Sequence, residues 1–130
     1  MSVFTIAMAV RDYECDMQGV VNNAVYQNYL EHARHEFLKA RGLDFARLKE
    51  QQISVVVVRA ELDYRRSLRG GDAFVVAVHT ERESRLRLTF VQRIVHADSG
   101  QTHLDARIIT AALNPQGRPY FPKELAVLLD

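Results

Sequence analysis

Large apolar residues occupy every second position near the start of the chain, within residues 3–11. A period of two is typical of a half-buried strand, one face of which is expected to carry Phe4, Ile6, Met8 and Val10. The period then changes, because from residue 23 to residue 41 apolar side chains recur every three or four positions, in the set Val25, Tyr26, Tyr29, Leu30, Ala33, Phe37 and Ala40. This spacing predicts one long helix with a broad buried face.

Polar residues and glycine mark the ends of this predicted helix. Asn22 or Asn23 suits the N-cap, where a side-chain oxygen accepts a free backbone N–H. Gly42 suits the position just after the last helical residue.

The rest of the chain has the pattern of an antiparallel sheet. A short loop or helical turn over residues 44–51 precedes a β-branched run that predicts a strand over 53–64. Arg69-Gly70-Gly71-Asp72 predicts a hairpin turn into the next strand. Further strands are expected over 73–82, 86–96 and 103–113, followed by a turn at Asn114-Pro115-Gln116-Gly117 and a final helical turn opened by Pro122. The order predicts an α+β fold in which one helix packs on one face of the sheet.

Composition is typical of one globular domain, expected to span residues 1–130, with 48% hydrophobic and 25% charged residues. The formal net charge of +1 gives no general argument for binding nucleic acid or a membrane. A single cysteine, Cys15, excludes an internal disulfide framework and is typical of a reducing compartment, so a cytoplasmic location is expected.

The segment Asp16-Met17-Gln18-Gly19-Val20-Val21-Asn22-Asn23 places an acid directly before the helix. N–H groups in the first turn of a helix have no intrahelical partner and carry the positive end of the helix dipole. A carboxylate beside them could attack a carbonyl, or activate water to do so, while the carbonyl oxygen rests on those amides. The segment is therefore a candidate site of acyl transfer, although Asp and Asn also favour plain turns.

The order of elements and this segment resemble the hotdog-fold thioesterases, in which a curved antiparallel sheet wraps around one long central helix. The signature Asp-x-x-Gly-Val-Val before an aromatic-bearing helix is similar to the 4-hydroxybenzoyl-CoA thioesterases of the aspartate type. The longer string from Val10 to Tyr26 most resembles plant and bacterial acyl-ACP thioesterases of the methylketone-synthase type. Leu68–Asp72 and Gly117–Pro122 fall where that family has its hairpin and terminal turn, so the resemblance extends over nearly the whole chain.

The resemblance implies hydrolysis of a thioester carried by coenzyme A or acyl carrier protein, with no cofactor. Asp16 takes the position of the family's nucleophile or general base, and the backbone N–H of Asn23 takes that of its oxyanion donor. Thioesterases of the Tol–Pal-associated branch carry Tyr-His where this chain has Asn22-Asn23, so their histidine-assisted mechanism is not carried over. The relatives are dimers or tetramers of dimers with sites between subunits, so a homodimer or homotetramer is expected.

Further residues are expected to surround the thioester. Gly19, Val20, Val21 and Asn22 belong to the candidate segment, and Tyr26 and Tyr29 could line an acyl tunnel or simply pack in the core. Arg66 belongs to a basic stretch that could receive the phosphates of coenzyme A or the acidic surface of a carrier protein, or could be an ordinary solvated face. The other members are Arg59, Arg65, Arg69, Arg82, Arg85 and Arg87.

Other acidic, histidine and cysteine residues of the first third of the chain offer alternative sites. Glu31 lies two turns into the helix, where a second hotdog branch has its catalytic acid, and it is a reserve candidate beside a solvent-facing or subunit-facing role. His32 and His35 lack both the His-Glu-x-x-His spacing and an evident third ligand, so no metal site is expected. The alternation of acids at residues 12–16 lacks the glycine and glutamate that a calcium loop requires. Acidic neighbours disfavour the thiolate of Cys15, which makes a structural role preferable.

Two other functions are compatible with the same fold. A non-catalytic acyl-binding or dimerisation module would bind acyl-CoA saturably without releasing thiol. A hotdog dehydratase would normally use a histidine near the helix start, and the first histidine of this chain is His32.

Overall fold

The structure, a computed structural model, describes residues 3–129. Met1, Ser2 and Asp130, which belong to the predicted domain, lie outside the described residues. Over the described range no helix is both long enough and apolar enough to cross a membrane.

Six antiparallel strands form one sheet, and the predicted α+β order is present. The strands are β1 (Phe4–Ala9), β2 (Ser54–Tyr64), β3 (Ala73–Arg82), β4 (Arg87–His96), β5 (Thr102–Leu113) and β6 (Pro119–Tyr120). The helices are α1 (Asn23–Ala40) and α2 (Phe45–Glu50), with short 3₁₀ turns over Asp12–Glu14 and Lys123–Leu129. Strand order across the sheet is β1-β3-β4-β5-β2, and the two-residue β6, which the sequence pattern did not predict, pairs with β5.

The predicted hairpin between β2 and β3 is wrong. The glycine turn exists, since Asp72 N–H donates to Arg69 O at 3.0 Å and Gly71 has a φ of +84°. The residues after this turn form β3, which pairs with β1. Strand β2 instead pairs with β5 at the far edge of the sheet, starting with Ser54 opposite Leu113. A turn signal fixes the local chain reversal but not the partner of the preceding strand, which here is the twelve-residue β5.

The helix α1 lies across the sheet as predicted and is capped at both ends. Asn22 is the N-cap, because its Oδ1 accepts the N–H of Ala24 at 3.0 Å, and Gly42 adopts the left-handed conformation with a φ of +82°. The buried face of α1 contains Tyr26, Tyr29, Leu30, Ala33, Phe37 and Leu38. Ala40, expected on this face, is exposed at the last position of the helix.

The opposing sheet face follows the period of two. Phe74, Val76 and Val78 of β3 are fully buried, and β4 and β5 continue this face with Phe90, Ile94, Leu104 and Ile108. The core therefore lies between α1 and the concave face of the sheet, and it holds the N-terminal end of α1 in one place.

Candidate active site

The acid and the asparagines predicted to act together lie in one closed loop between the first 3₁₀ turn and α1. Cys15 and Val21 form an antiparallel bridge across its base. Above this bridge Asp16 N–H donates to Val20 O at 2.9 Å, and Gly19 N–H donates to Asp16 O at 3.0 Å. Gly19 has a φ of +78°, a conformation that residues with a side chain adopt only with strain. The loop is thus closed by its own backbone and reverses at glycine.

The Asp16 carboxylate is exposed and is held by only one of its oxygens. Its Oδ1 accepts the N–H groups of Gln18 at 2.8 Å and of Val20 at 3.4 Å. Its Oδ2 accepts no hydrogen bond from any residue in the range 3–129. The side chain is therefore oriented while one oxygen stays available to attack a carbonyl or to take a proton from water.

The first turn of α1 leaves one backbone donor open. Asn22 N–H donates to Glu14 O at 3.1 Å, and Val25 N–H donates to Asn22 O at 2.9 Å. Ala24 N–H is capped by the Asn22 side chain. The Asn23 N–H has no acceptor anywhere in the described part of the chain, and it lies at the positive end of an eighteen-residue helix. An oxyanion could bind at this position.

Glu14 connects α1 by a hydrogen bond to the segment that carries Asp16. Its Oε1 accepts the Tyr29 hydroxyl at 2.8 Å and the Arg11 N–H at 2.8 Å. Burial and this hydrogen bond with Glu14 raise the pKa of Tyr29, so the hydroxyl remains a donor at any ordinary pH. Tyr29, predicted as a possible tunnel residue, is 5% exposed and serves this structural contact.

Tyr26 and Arg66 lie on the other side of the helix start. They line a cavity of about 140 Å³ together with Asn23, Tyr64, Arg65 and Ser67. The Tyr26 hydroxyl accepts the Leu68 N–H at 2.9 Å, and the Tyr64 hydroxyl donates to Asn23 O at 3.4 Å. Arg66 is exposed and makes no ion pair with the described residues. A phosphate could therefore bind to it beside the open Asn23 amide.

The remaining sequence candidates lie elsewhere. Glu31 is exposed, eight residues further along α1 than Asn23. The His35 ring packs on Phe45 at 4.3 Å between centroids. Within residues 3–129 no three His, Cys, Asp or Glu side chains are placed to hold a metal ion. Burial, followed by the nearby carboxylates of the loop, raises the pKa of Cys15, which disfavours its thiolate as a nucleophile.

Sequence reasoning missed two groups near the helix, the Glu14 contact and a polar pair formed by Arg34 and Gln92. A signal for the second existed in β4. Leu88, Phe90 and Ile94 occupy its inward positions, and Gln92, which is 1% exposed, interrupts their apolar series. A buried amide at such a position requires hydrogen-bond partners.

Comparison with known proteins connects this chain to one family. The model of the thioesterase-like superfamily matches residues 10–129. The acyl-acyl carrier protein thioesterase ATL3 of Arabidopsis thaliana is 35% identical over 114 residues, which cover 88% of this chain and 60% of the relative. This chain thus spans less than two thirds of the length of that plant protein. The acyl-CoA thioesterase YbgC of Haemophilus influenzae is 27% identical over 94% of this chain and 90% of its own.

A solved structure extends the comparison to the fold. The 1,4-dihydroxy-2-naphthoyl-CoA thioesterase Slr0204 of Synechocystis superposes with a TM-score of 0.91 at 19% identity, over 98% of this chain and 96% of that protein. At this identity the likeness concerns architecture alone, and it confirms the predicted hotdog fold.

Proposed function

Because the chain belongs to the thioesterase-like superfamily, we propose that it hydrolyses an acyl thioester to a free acid and a thiol. Asp16 acts as the nucleophile or general base, and the Asn23 N–H binds the oxyanion that forms on the thioester carbonyl. A thiolate leaves readily, so little acid assistance is needed. One observation carries the proposal. The Asn23 N–H at the start of α1 has no acceptor among the described residues, and it follows Asp16, whose carboxylate accepts hydrogen bonds through one oxygen only.

The proposed substrate is carried by coenzyme A or by acyl carrier protein. The relatives support both carriers, since ATL3 is named for acyl carrier protein and YbgC for acyl-CoA. Arg66 beside Asn23 supplies an exposed cation for a phosphate, a group that both carriers contain. The proposal includes a role in fatty acid metabolism and, on the strength of a single cysteine in the chain, a cytoplasmic location.

A screen of thiol release tests the proposed activity directly. The panel contains acyl-CoA and acyl carrier protein thioesters of increasing chain length, with 3-oxoacyl and aromatic members. We expect saturable release of thiol from at least one thioester. Saturable acyl-CoA binding without thiol release across the panel would instead favour the non-catalytic acyl-binding module.

We also propose that two copies of the chain associate through β2. This strand pairs with β5 on one side only, and its other edge is unpaired within residues 3–129. The exposed fractions of Val56, Val57 and Val58 are 37%, 50% and 46%, so three consecutive apolar residues lie on this open edge. An unprotected apolar edge favours pairing with another strand, in agreement with the homodimer or homotetramer that the family resemblance implies for this chain. A second β2 would cover these valines.

Lysine at positions 56 and 58 is expected to separate the two copies. The double variant Val56→Lys/Val58→Lys places like charges opposite one another across the proposed pairing and hinders strand addition. Light scattering after gel filtration should give the mass of one chain. The kcat/KM for thiol release should fall by about a hundredfold, because the family resemblance implies a site between two subunits and the variant lacks the second one.

The matched control is Val127→Lys, at a valine that is 40% exposed in the C-terminal 3₁₀ turn. We expect it to keep the mass and activity of the unmodified protein. An unchanged mass of the double variant, or a wild-type protein that is already monomeric, would contradict association through β2.

A further inference from the structure

Arg34 is a cation of α1 without a counter-ion. It is half-buried, and its one side-chain hydrogen bond runs from Nη1 to Gln92 Oε1 at 3.0 Å. No carboxylate oxygen among residues 3–129 lies within 4.0 Å of it. Burial lowers the pKa of this guanidinium, and the field of Glu31 opposes that shift only in part. A partly desolvated charge without a partner costs free energy unless another group compensates it.

Gln92 holds the guanidinium in one orientation. Its Nε2 donates to Leu30 O at 3.0 Å, which leaves its Oε1 as the acceptor for Arg34. The amide is fully buried, so neither contact can be exchanged for water. An arginine has five N–H donors, and this contact uses one of them.

Arg34 lines a small cavity between the helices and the sheet, and its remaining N–H donors have no acceptor among residues 3–129. The cavity has a volume of about 200 Å³. At about 30 Å³ for a group of water size, it holds on the order of half a dozen non-hydrogen atoms. Most of its walls are apolar, and beside Arg34 three polar side chains also line it, those of Glu31, His35 and Thr110. The apolar lining residues are Leu38, Phe45, Val55, Val57 and Phe90. Such walls suit a hydrocarbon chain, and the guanidinium suits an oxygen at the end of that chain.

Helix α1 and strand β2 both extend from the candidate active site to the cavity. Eleven residues separate Asn23 from Arg34, which corresponds to about 16 Å along α1 and to nearly the same helix face at about 100° per residue. Strand β2 passes both places, since Tyr64 contacts Asn23 O at one end and Val55 and Val57 line the cavity near the other. An acyl chain extended along α1 from a thioester at Asn23 would span the distance to Arg34 with its distal end.

We infer that Arg34 selects acyl groups that carry an oxygen at their distal end, as a hydroxyl or a carboxylate. The inference rests on the proposed thioesterase function and names the substrate class of that site. An unsubstituted chain in this cavity would displace water from Arg34 and leave its N–H groups unpaired, which is costly. A distal oxygen accepts hydrogen bonds from those N–H groups, and the Glu31 carboxylate, which also lines the cavity, could accept a hydrogen bond from a hydroxyl while repelling a carboxylate.

Two measurements test this inference. Calorimetry compares binding of dodecanoic, ω-hydroxydodecanoic and dodecanedioic acids to the full chain, each with the carboxyl group that corresponds to the thioester converted to a methyl amide, so that only the distal end differs. Kinetics compares kcat/KM for the three coenzyme A thioesters. We expect at least one oxygenated acid to bind at least about tenfold more tightly than dodecanoic acid. Arg34→Met should abolish this preference while changing binding of dodecanoic acid less than about threefold, and Arg34→Lys should retain part of it.

Arg118→Met serves as the control, because it removes an exposed arginine from the turn after β5. It should leave the preference unchanged. Tighter binding of dodecanoic acid than of both oxygenated acids, or an equal loss for all three in Arg34→Met, would overturn the inference. If Arg34→Met does not fold, the relative affinities of the three ligands for the unmodified protein still test the preference for a distal oxygen. A preference for oxygenated acids without thiol release would contradict the proposed hydrolysis and leave the selectivity standing.

Discussion

Replacing Asp16 with Asn is expected to lower kcat for thiol release by roughly 10²–10⁴-fold, the range associated with loss of a positioned acid or base. The amide cannot attack the thioester or accept a proton from water. Its Oδ1 can still accept the N–H groups of Gln18 and Val20, so the loop should keep its conformation. KM should change little, because the substituted group acts on the reacting carbon and not on the carrier.

Asp12→Asn is the matched control for this prediction. Asp12 is an exposed acid of the same segment, four residues earlier, in the 3₁₀ turn that precedes the loop. Its substitution removes the same charge, and activity should stay near that of the unmodified protein. Near-normal turnover by Asp16→Asn would assign the chemistry to another acid, with Glu31 the next candidate.

Replacing Asn23 with Pro is expected to lower kcat by roughly 10²–10³-fold, as removal of one oxyanion donor does. Proline has no N–H, so the open donor at the helix start is lost. The backbone is compatible with the change. Asn23 is the first residue of α1, a position that proline favours, and Asn22 already has the extended conformation that precedes proline, with φ −63° and ψ 137°.

Asn23→Ala separates the backbone from the side chain. It keeps the N–H and removes only the amide group, so turnover should remain within about threefold of the unmodified protein. Circular dichroism and thermal unfolding check that both variants retain the helix. Equal activity of the proline and alanine variants would exclude the Asn23 amide as the oxyanion donor.

Local sequence patterns predicted the elements of this fold well, and their partners less well. The change of period at residue 23, the Asn22 cap and Gly42 locate α1 because each acts within one helix turn. The β-branched run of β2 predicted a strand in the same way. Its pairing with β5 joins residues about fifty positions apart, such as Val57 and Thr110, and no local signal encodes that choice.

The same distinction applies to the candidate site. Asp16 and Asn23 belong to one short segment, so their placement before a helix was predictable from the order of residues alone. The contacts that support them are distant in the chain. Glu14 meets Tyr29 fifteen residues away, and Arg34 meets Gln92 fifty-eight residues away. These residues of α1 and β4 meet only in the folded sheet. The one sequence signal for the Arg34–Gln92 contact was the amide of Gln92 among the apolar residues of β4.

Single-turnover thiol release, with protein in excess over a thioester that the panel shows to bind, tests the central claim most directly. This measurement separates the chemical step from binding and product release. The unmodified protein should release one thiol for each thioester bound, in a single exponential. Asp16→Asn should bind the thioester equally well and release thiol at least about 10²-fold more slowly. Release by Asp16→Asn at the rate of the unmodified protein would contradict hydrolysis at this loop.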